Sequence, residues 1–96
     1  MANQIKMMML DVLKSHQPGV ENIAVELSAI DGINSANITV LEIDAKTETL
    51  KVILEGENID FDKVKQKIKD LGGTVHSVDK VISSKNKLKD IFFIKK

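Results

Sequence analysis

"MMMLDVLKSHQPGVENIAVELSAI", residues 7–30, runs from an apolar strand-like segment through a polar corner into an amphipathic helix. The reading of its first part decides the fold. Over residues 5–13 apolar side chains occupy both alternating rows: Lys6, Met8, Leu10 and Val12 in one, and Ile5, Met7, Met9 and Leu13 in the other, broken by Asp11. A strand that is oily on both faces belongs in the middle of a sheet and must be covered twice. The corner, residues 14–19, holds His16, one of 2 histidines in the chain. Pro18-Gly19 marks a turn. Val20, Ile23, Ala24, Leu27 and Ile30 then fall on one helix face, and Asp31-Gly32 ends a helix predicted over residues 19–30.

Working outward, residues 37–44 read as a strand, residues 45–48 as a polar turn, and residues 50–55 as a second strand alternating Leu50, Val52 and Leu54 with Lys51, Ile53 and Glu55. Two such runs around a short loop make a hairpin. Asn58 or Asp60 can cap a second helix whose buried stripe is Phe61, Val64, Ile68 and Leu71. Gly72-Gly73 ends it, and residues 74–82 form a last strand. The order strand, helix, strand, strand, helix, strand is the split βαβ plan of the α+β, ferredoxin-like sandwich. Right-handed crossovers then give an antiparallel sheet of order 4-1-3-2 with both helices on one face, and the doubly apolar strand falls in its centre. The expected domain covers residues 1–84. Residues 85–96, ending "KNKLKDIFFIKK", form a lysine-rich apolar tail expected to act as an interface segment.

Composition narrows the function. Apolar residues at 43% and charged residues at 29% describe a folded globular chain. The longest apolar run is about four residues, far below the ~20 a membrane span needs. Asp11 and Lys14 interrupt any signal-peptide core, so the expected compartment is the cytoplasm. With no cysteine there is no disulfide, thiolate metal site or cysteine nucleophile. Formal charge is zero but uneven: residues 1–62 carry four lysines against eleven acids, and residues 63–96 carry ten lysines against three. That asymmetry favours head-to-tail contact between copies or steering of a charged partner. All the basic residues are lysine, and tyrosine and tryptophan are absent. Without guanidinium forks or stacking platforms, no nucleic-acid partner is expected.

Helices cover one side of such a sheet, so its second face is informative. With Leu41, Ile43, Leu50, Val52 and Leu54 inward, Ile38, Val40 and Ile53 point outward. They join one row of the central strand: Met8, Leu10 and Val12, or Met7, Met9 and Leu13. Such a patch exceeds what a monomer usually leaves wet. The expected interface between copies is Met8, Leu10, Ile38, Val40 and Ile53, with Phe92 and Phe93 from the tail.

Chemistry is sparse. His16 sits in the corner beside the first helix's N-terminus, and the last strand returns beside the first. Asp11, His16, His76 and Asp79 would thus converge as mixed nitrogen and oxygen ligands for a divalent cation. The plainer alternative pairs Asp11 and Asp79 with Lys14 and Lys80. Glu42 and Asp44 share one strand face, but an EF-hand loop starting at Asp44 fails at Lys46 and Thr49 and fits only at Glu55. Weak calcium or magnesium binding by oxygens between subunits stays open. There is no nucleophile elbow, glycine-rich phosphate loop or HExxH motif, and no catalytic residue is assigned.

At "LDVLKSHQP", "NITVLEID" and "GGTVHSVDKV" the chain resembles an archaeal family known as domain of unknown function 211, over about residues 5–84. The resemblance implies a ferredoxin-like fold, a higher oligomer, an archaeal cytoplasmic origin, bound calcium in the family, and no established activity. The tail is not part of the resembling pattern. The topology is also similar to that of amino-acid-sensing regulatory domains, an analogy of fold alone. The expected function is a non-enzymatic homo-oligomeric module that binds a small ligand or divalent cation in a regulatory role. The alternatives are a scaffold engaging another macromolecule, or a small acid/base enzyme using Asp11, His16 or His76.

Overall fold

A computed structural model describes residues 4–86. Its elements are β1 (Gln4–Ser15), α1 (Val20–Ser28), β2 (Ile33–Ile43), β3 (Thr47–Gly56), α2 (Phe61–Asp70) and β4 (Gly73–Ser84). The sheet order is β2-β3-β1-β4, every neighbouring pair antiparallel. This is the ferredoxin-like α+β sandwich, with the expected order viewed from the other edge. Among the described residues no helix is long and apolar enough to cross a membrane.

The capping chemistry is local. The Asp60 carboxylate accepts from the backbone N–H of Asp62 at 3.0 Å and of Lys63 at 3.4 Å, satisfying two otherwise orphaned donors of α2. α1 has only Gly19 as its cap, with no side-chain bond, and is shorter than its sequence periodicity suggests. At the far end of the sheet the turn before β2 and the end of β3 touch. Gly32 has φ +92°, and a Cβ there would strike the Asn58 carbonyl; one on Gly56 would strike the Gly32 carbonyl. Two glycines are therefore required where these segments cross.

Register settles which face is which. On β1, Met8, Leu10 and Val12 stand opposite Leu54, Val52 and Leu50 of β3. All six are buried with Ile23 and Leu27 of α1 and Val64 and Ile68 of α2, so both helices cover this side. Met8 and Leu10 are thus core residues, not interface residues as expected; Leu10 is 0% exposed. Ile38 and Val40 pair with Val52 and Leu50, which places them on the helix side too, again contrary to expectation. The cause is a register shift between Val40 and Glu42. Strict alternation from Ile43 backwards puts Ile38 and Val40 on the outer face, but the bulge resets the parity.

The outer face carries Met7, Met9, Asp11 and Leu13 from β1 opposite Glu55, Ile53, Lys51 and Thr49 of β3. Ile53 is on this face, as expected, but the face is half polar. Phe92 and Phe93, with the rest of the tail from residue 87, lie outside the described residues.

Two lysines close the ends of the inward row of β1. Lys6 is 3% exposed, and its Nζ donates to the Glu57 carbonyl at 2.9 Å and to Glu57 Oε1 at 3.2 Å. Lys14 is 2% exposed and its Nζ meets Glu48 Oε1 at 2.9 Å. Buried ammonium groups persist only when paired in this way. The contrast between core and rim is directly measurable. Leu10→Ala, which opens a cavity beneath both helices, should cost about 3 kcal/mol in urea unfolding. Leu41→Ala, at an exposed position on β2, should stay within about 0.5 kcal/mol. Equal losses would contradict the assignment of faces.

Candidate functional site

The corner after β1 folds against the β2–β3 hairpin. β1 carries Lys14 into the inward row and then releases His16 past its end. Across from them, Glu48 pairs in register with Lys14. One carboxylate serves both cations: Glu48 Oε1 accepts from Lys14 Nζ at 2.9 Å, and Oε2 faces His16 Nδ1 at 3.0 Å. The other ring nitrogen of His16, Nε2, lies 3.0 Å from the Ala45 carbonyl. Both ring nitrogens face acceptors, and a neutral imidazole has only one N–H. Only the imidazolium satisfies both contacts at once, so the clasp favours the protonated form of His16.

The electrostatics agree. The Glu48 carboxylate, then the Ala45 carbonyl, raises the His16 pKa above 6.5. The His16 bond, then Lys14, lowers the Glu48 pKa below 4.5. His16, singled out as a possible metal ligand, is thus tied into a structural clasp. Glu48 is the partner that sequence reasoning missed; its signal was Lys14, a cation in the inward row of β1 that needs a carboxylate.

Asp11 and His76 do come together. Asp11 lies on the outer face of β1 opposite Lys51 on one side and Ser77 on the other. β4 bulges beside it: Ser77 pairs with Asp11 and Val75 with Val12, leaving His76 as the extra residue. Bulges re-aim side chains in this way. Asp11, Val12, Leu13, Thr49 and His76 line a shallow cavity of about 270 Å³. Among the described residues, Asp11 Oδ1 is buried with no hydrogen-bond partner. Lys51, its cross-strand neighbour, instead directs Nζ to the Met9 sulfur at 3.9 Å.

The other expected ligands are elsewhere. Asp79 sits at a second β4 bulge and accepts from Ser77 Oγ at 2.8 Å. Glu42 lies near the end of β2, and the backbone N–H of Asp44 closes the hairpin on the Thr47 carbonyl at 2.8 Å. No group of three or more His, Asp or Glu side chains that could hold a metal ion occurs among the described residues. The four-residue convergence of Asp11, His16, His76 and Asp79 is therefore reduced to the pair Asp11 and His76.

The clasp makes stability depend on pH with a definite sign. His16 has a raised folded pKa, so its contribution is complete below 6.5 and is lost as pH rises through that raised value. Glu48 has a lowered folded pKa, so its contribution is complete above 4.5 and is lost as pH falls through the lowered value. The clasp's stabilisation should therefore be greatest between pH 4.5 and 6.5. An NMR titration should place the His16 midpoint above 6.5, and Glu48→Gln should return it toward that value. A midpoint at or below 6.5 in the unaltered chain would exclude the doubly bonded imidazolium.

The sequence matches the family model of domain of unknown function 211, an uncharacterised archaeal family, over residues 6–92. It is similar to the uncharacterized protein MJ0319 of Methanocaldococcus jannaschii, with 43% identity over 89 residues, covering 93% of this chain and 92% of that protein. The chain belongs to the uncharacterised archaeal family of domain of unknown function 211.

Proposed function

We propose that the chain is a non-enzymatic, homo-oligomeric binding module that holds a small cationic ligand, a divalent cation such as calcium or an organic amine, against Asp11 on the outer sheet face. The observation that carries this reading is the buried Asp11 Oδ1, which has no partner among the described residues. Leaving such an acceptor unmatched costs about 1–3 kcal/mol, and more when it is charged. A cation or ammonium group seated in the cavity removes that cost. His76 stands at the rim as a second donor atom, and Thr49 supplies a hydroxyl. Two charged or imidazole groups do not enclose a metal ion by themselves. Water or a neighbouring copy of the chain completes the coordination.

The proposal of binding over catalysis rests on how the titratable groups are used. His16 is committed at both ring nitrogens. Asp11 and His76 lie on a sheet surface, and the Thr49 hydroxyl is the remaining polar side chain among the described residues lining their cavity. A regulatory role follows only by analogy with small-molecule-sensing domains of the same topology.

Titration calorimetry with calcium, magnesium, zinc and a set of amines and amino acids tests the site. Heat is expected from at least one of them, and Asp11→Asn should weaken that binding at least tenfold while leaving the far-UV circular dichroism unchanged. Silence from every ligand would overturn the binding module. The scaffold alternative would then stand in place of the binding module.

A further inference from the structure

Most of the large aliphatic side chains exposed among the described residues lie on the edge strands of the sheet; Leu13 on the outer face of β1 and Val25 on α1 are the others. Among the described residues, the exposed large aliphatic side chains include Val40, Leu41 and Ile43 on β2 and Val78 and Val81 on β4. These are the two edge strands, at opposite ends of the order β2-β3-β1-β4. The two edges share a device. On β2, the shift between Val40 and Glu42 leaves Val40 opposite Leu50 and Ile43 opposite Glu48. On β4, the shift at Asp79 leaves Val78 opposite Leu10 and Val81 opposite Met8. Residues three apart on a regular strand face opposite ways. The bulge brings each pair to the same side, the helix side, as an apolar lip.

The segments that flank the two lips differ in charge. α1 packs beside β2 and α2 beside β4. Residues 20–44, comprising α1 and β2, hold five acidic side chains and no basic one. Residues 61–86, comprising α2 and β4, hold six lysines and three aspartates. The asymmetry along the sequence thus becomes a difference between an acidic α1–β2 side and a net basic α2–β4 side, which meet at the helix pair through Glu26 and Lys67 at 3.5 Å.

We propose that copies of this chain join head to tail, the β2 edge of one against the β4 edge of the next, with the Val40–Ile43 lip meeting the Val78–Val81 lip. This rests on the homo-oligomeric part of the proposed function and names the surface that forms it. The strand directions allow it: β2 runs parallel to β1 and β4 antiparallel to it, so adjoining edges continue the antiparallel order. The contact is heterologous, since different patches meet, and it generates a closed ring or an open filament. Opposite charge steers the correct edges together and penalises like edges.

Size exclusion with light scattering on the full chain provides the test. The unaltered protein should be an oligomer that shifts to smaller species at roughly 1 M salt, where the Debye length falls to about 3 Å. Ile43→Asp and Val81→Asp alter exposed positions and should retain the native circular dichroism; each alone should run as a monomer. Mixed in equal amounts they should give a dimer and nothing larger, because each still carries one intact edge. A monomeric unaltered chain would overturn the homo-oligomeric reading and this interface together. An oligomer whose mass neither variant changes would overturn only the interface, and so would a mixture that stays monomeric.

Discussion

The structure depends on a single row of side chains. Met8, Leu10 and Val12 are fixed in register against Leu54, Val52 and Leu50, and both helices rest on the combined patch. Burying these aliphatics is worth about 1.5–3 kcal/mol each, far more than any surface pair in the molecule. A slip of one residue between β1 and β3 would exchange this row for Met7, Met9, Asp11 and Leu13 and bring a carboxylate under the helices. Asp11 therefore guards the register from the wrong side. Lys6 and Lys14 guard it from the right side, because each reaches its carboxylate only when the row faces the helices.

Element lengths explain what this core leaves uncovered. α1 has nine residues and α2 ten, about 14–15 Å of helix, whereas the twelve-residue β1 and β4 extend about 40 Å. Helices so short shield the middle of the sheet only. One end is closed by the Lys6–Glu57 pair and the Gly32–Gly56 crossing, the other by the Lys14–Glu48–His16 clasp. The histidine in the corner is consumed by that closure. A hairpin that projects beyond the helices needs an anchor, and an imidazolium bonded to both Glu48 and the Ala45 carbonyl supplies one without requiring more apolar surface.

Element order and the central place of β1 were legible because they rest on features that survive local irregularity: two apolar rows in one strand, the stripe of Val64 and Ile68, and the Asp60 cap. Facing was not. It was inferred from alternation in β2, and one extra residue near Leu41 reverses the parity of everything before it. Composition carries no mark of that bulge. The same limit applies to the site. That β4 returns beside β1 could be read from topology, and this places His76 near Asp11. The bulges at His76 and Asp79 decide which of the two side chains reaches the cavity, and the sequence around them, "VHSVDKV", would serve a regular strand equally well.

Bulges on edge strands usually protect a sheet, because they twist the exposed backbone away from unwanted partners. Here that role is incomplete. A bulge meant only to discourage pairing would be expected to leave charged or polar side chains at the lip, and Glu42, Lys80 and Asp79 do interrupt these edges. Yet in both strands the irregularity also turns two branched aliphatics to the same side, where a regular strand would have split them between faces. An isolated molecule gains nothing from Ile43 at 66% exposure. In the proposed head-to-tail contact, hydrocarbon gathered at a rim, flanked by an acidic α1–β2 side on one copy and a net basic α2–β4 side on the next, would reduce promiscuous pairing while favouring one complementary edge. Specificity of that kind would need both the attraction between unlike edges and the repulsion between like ones.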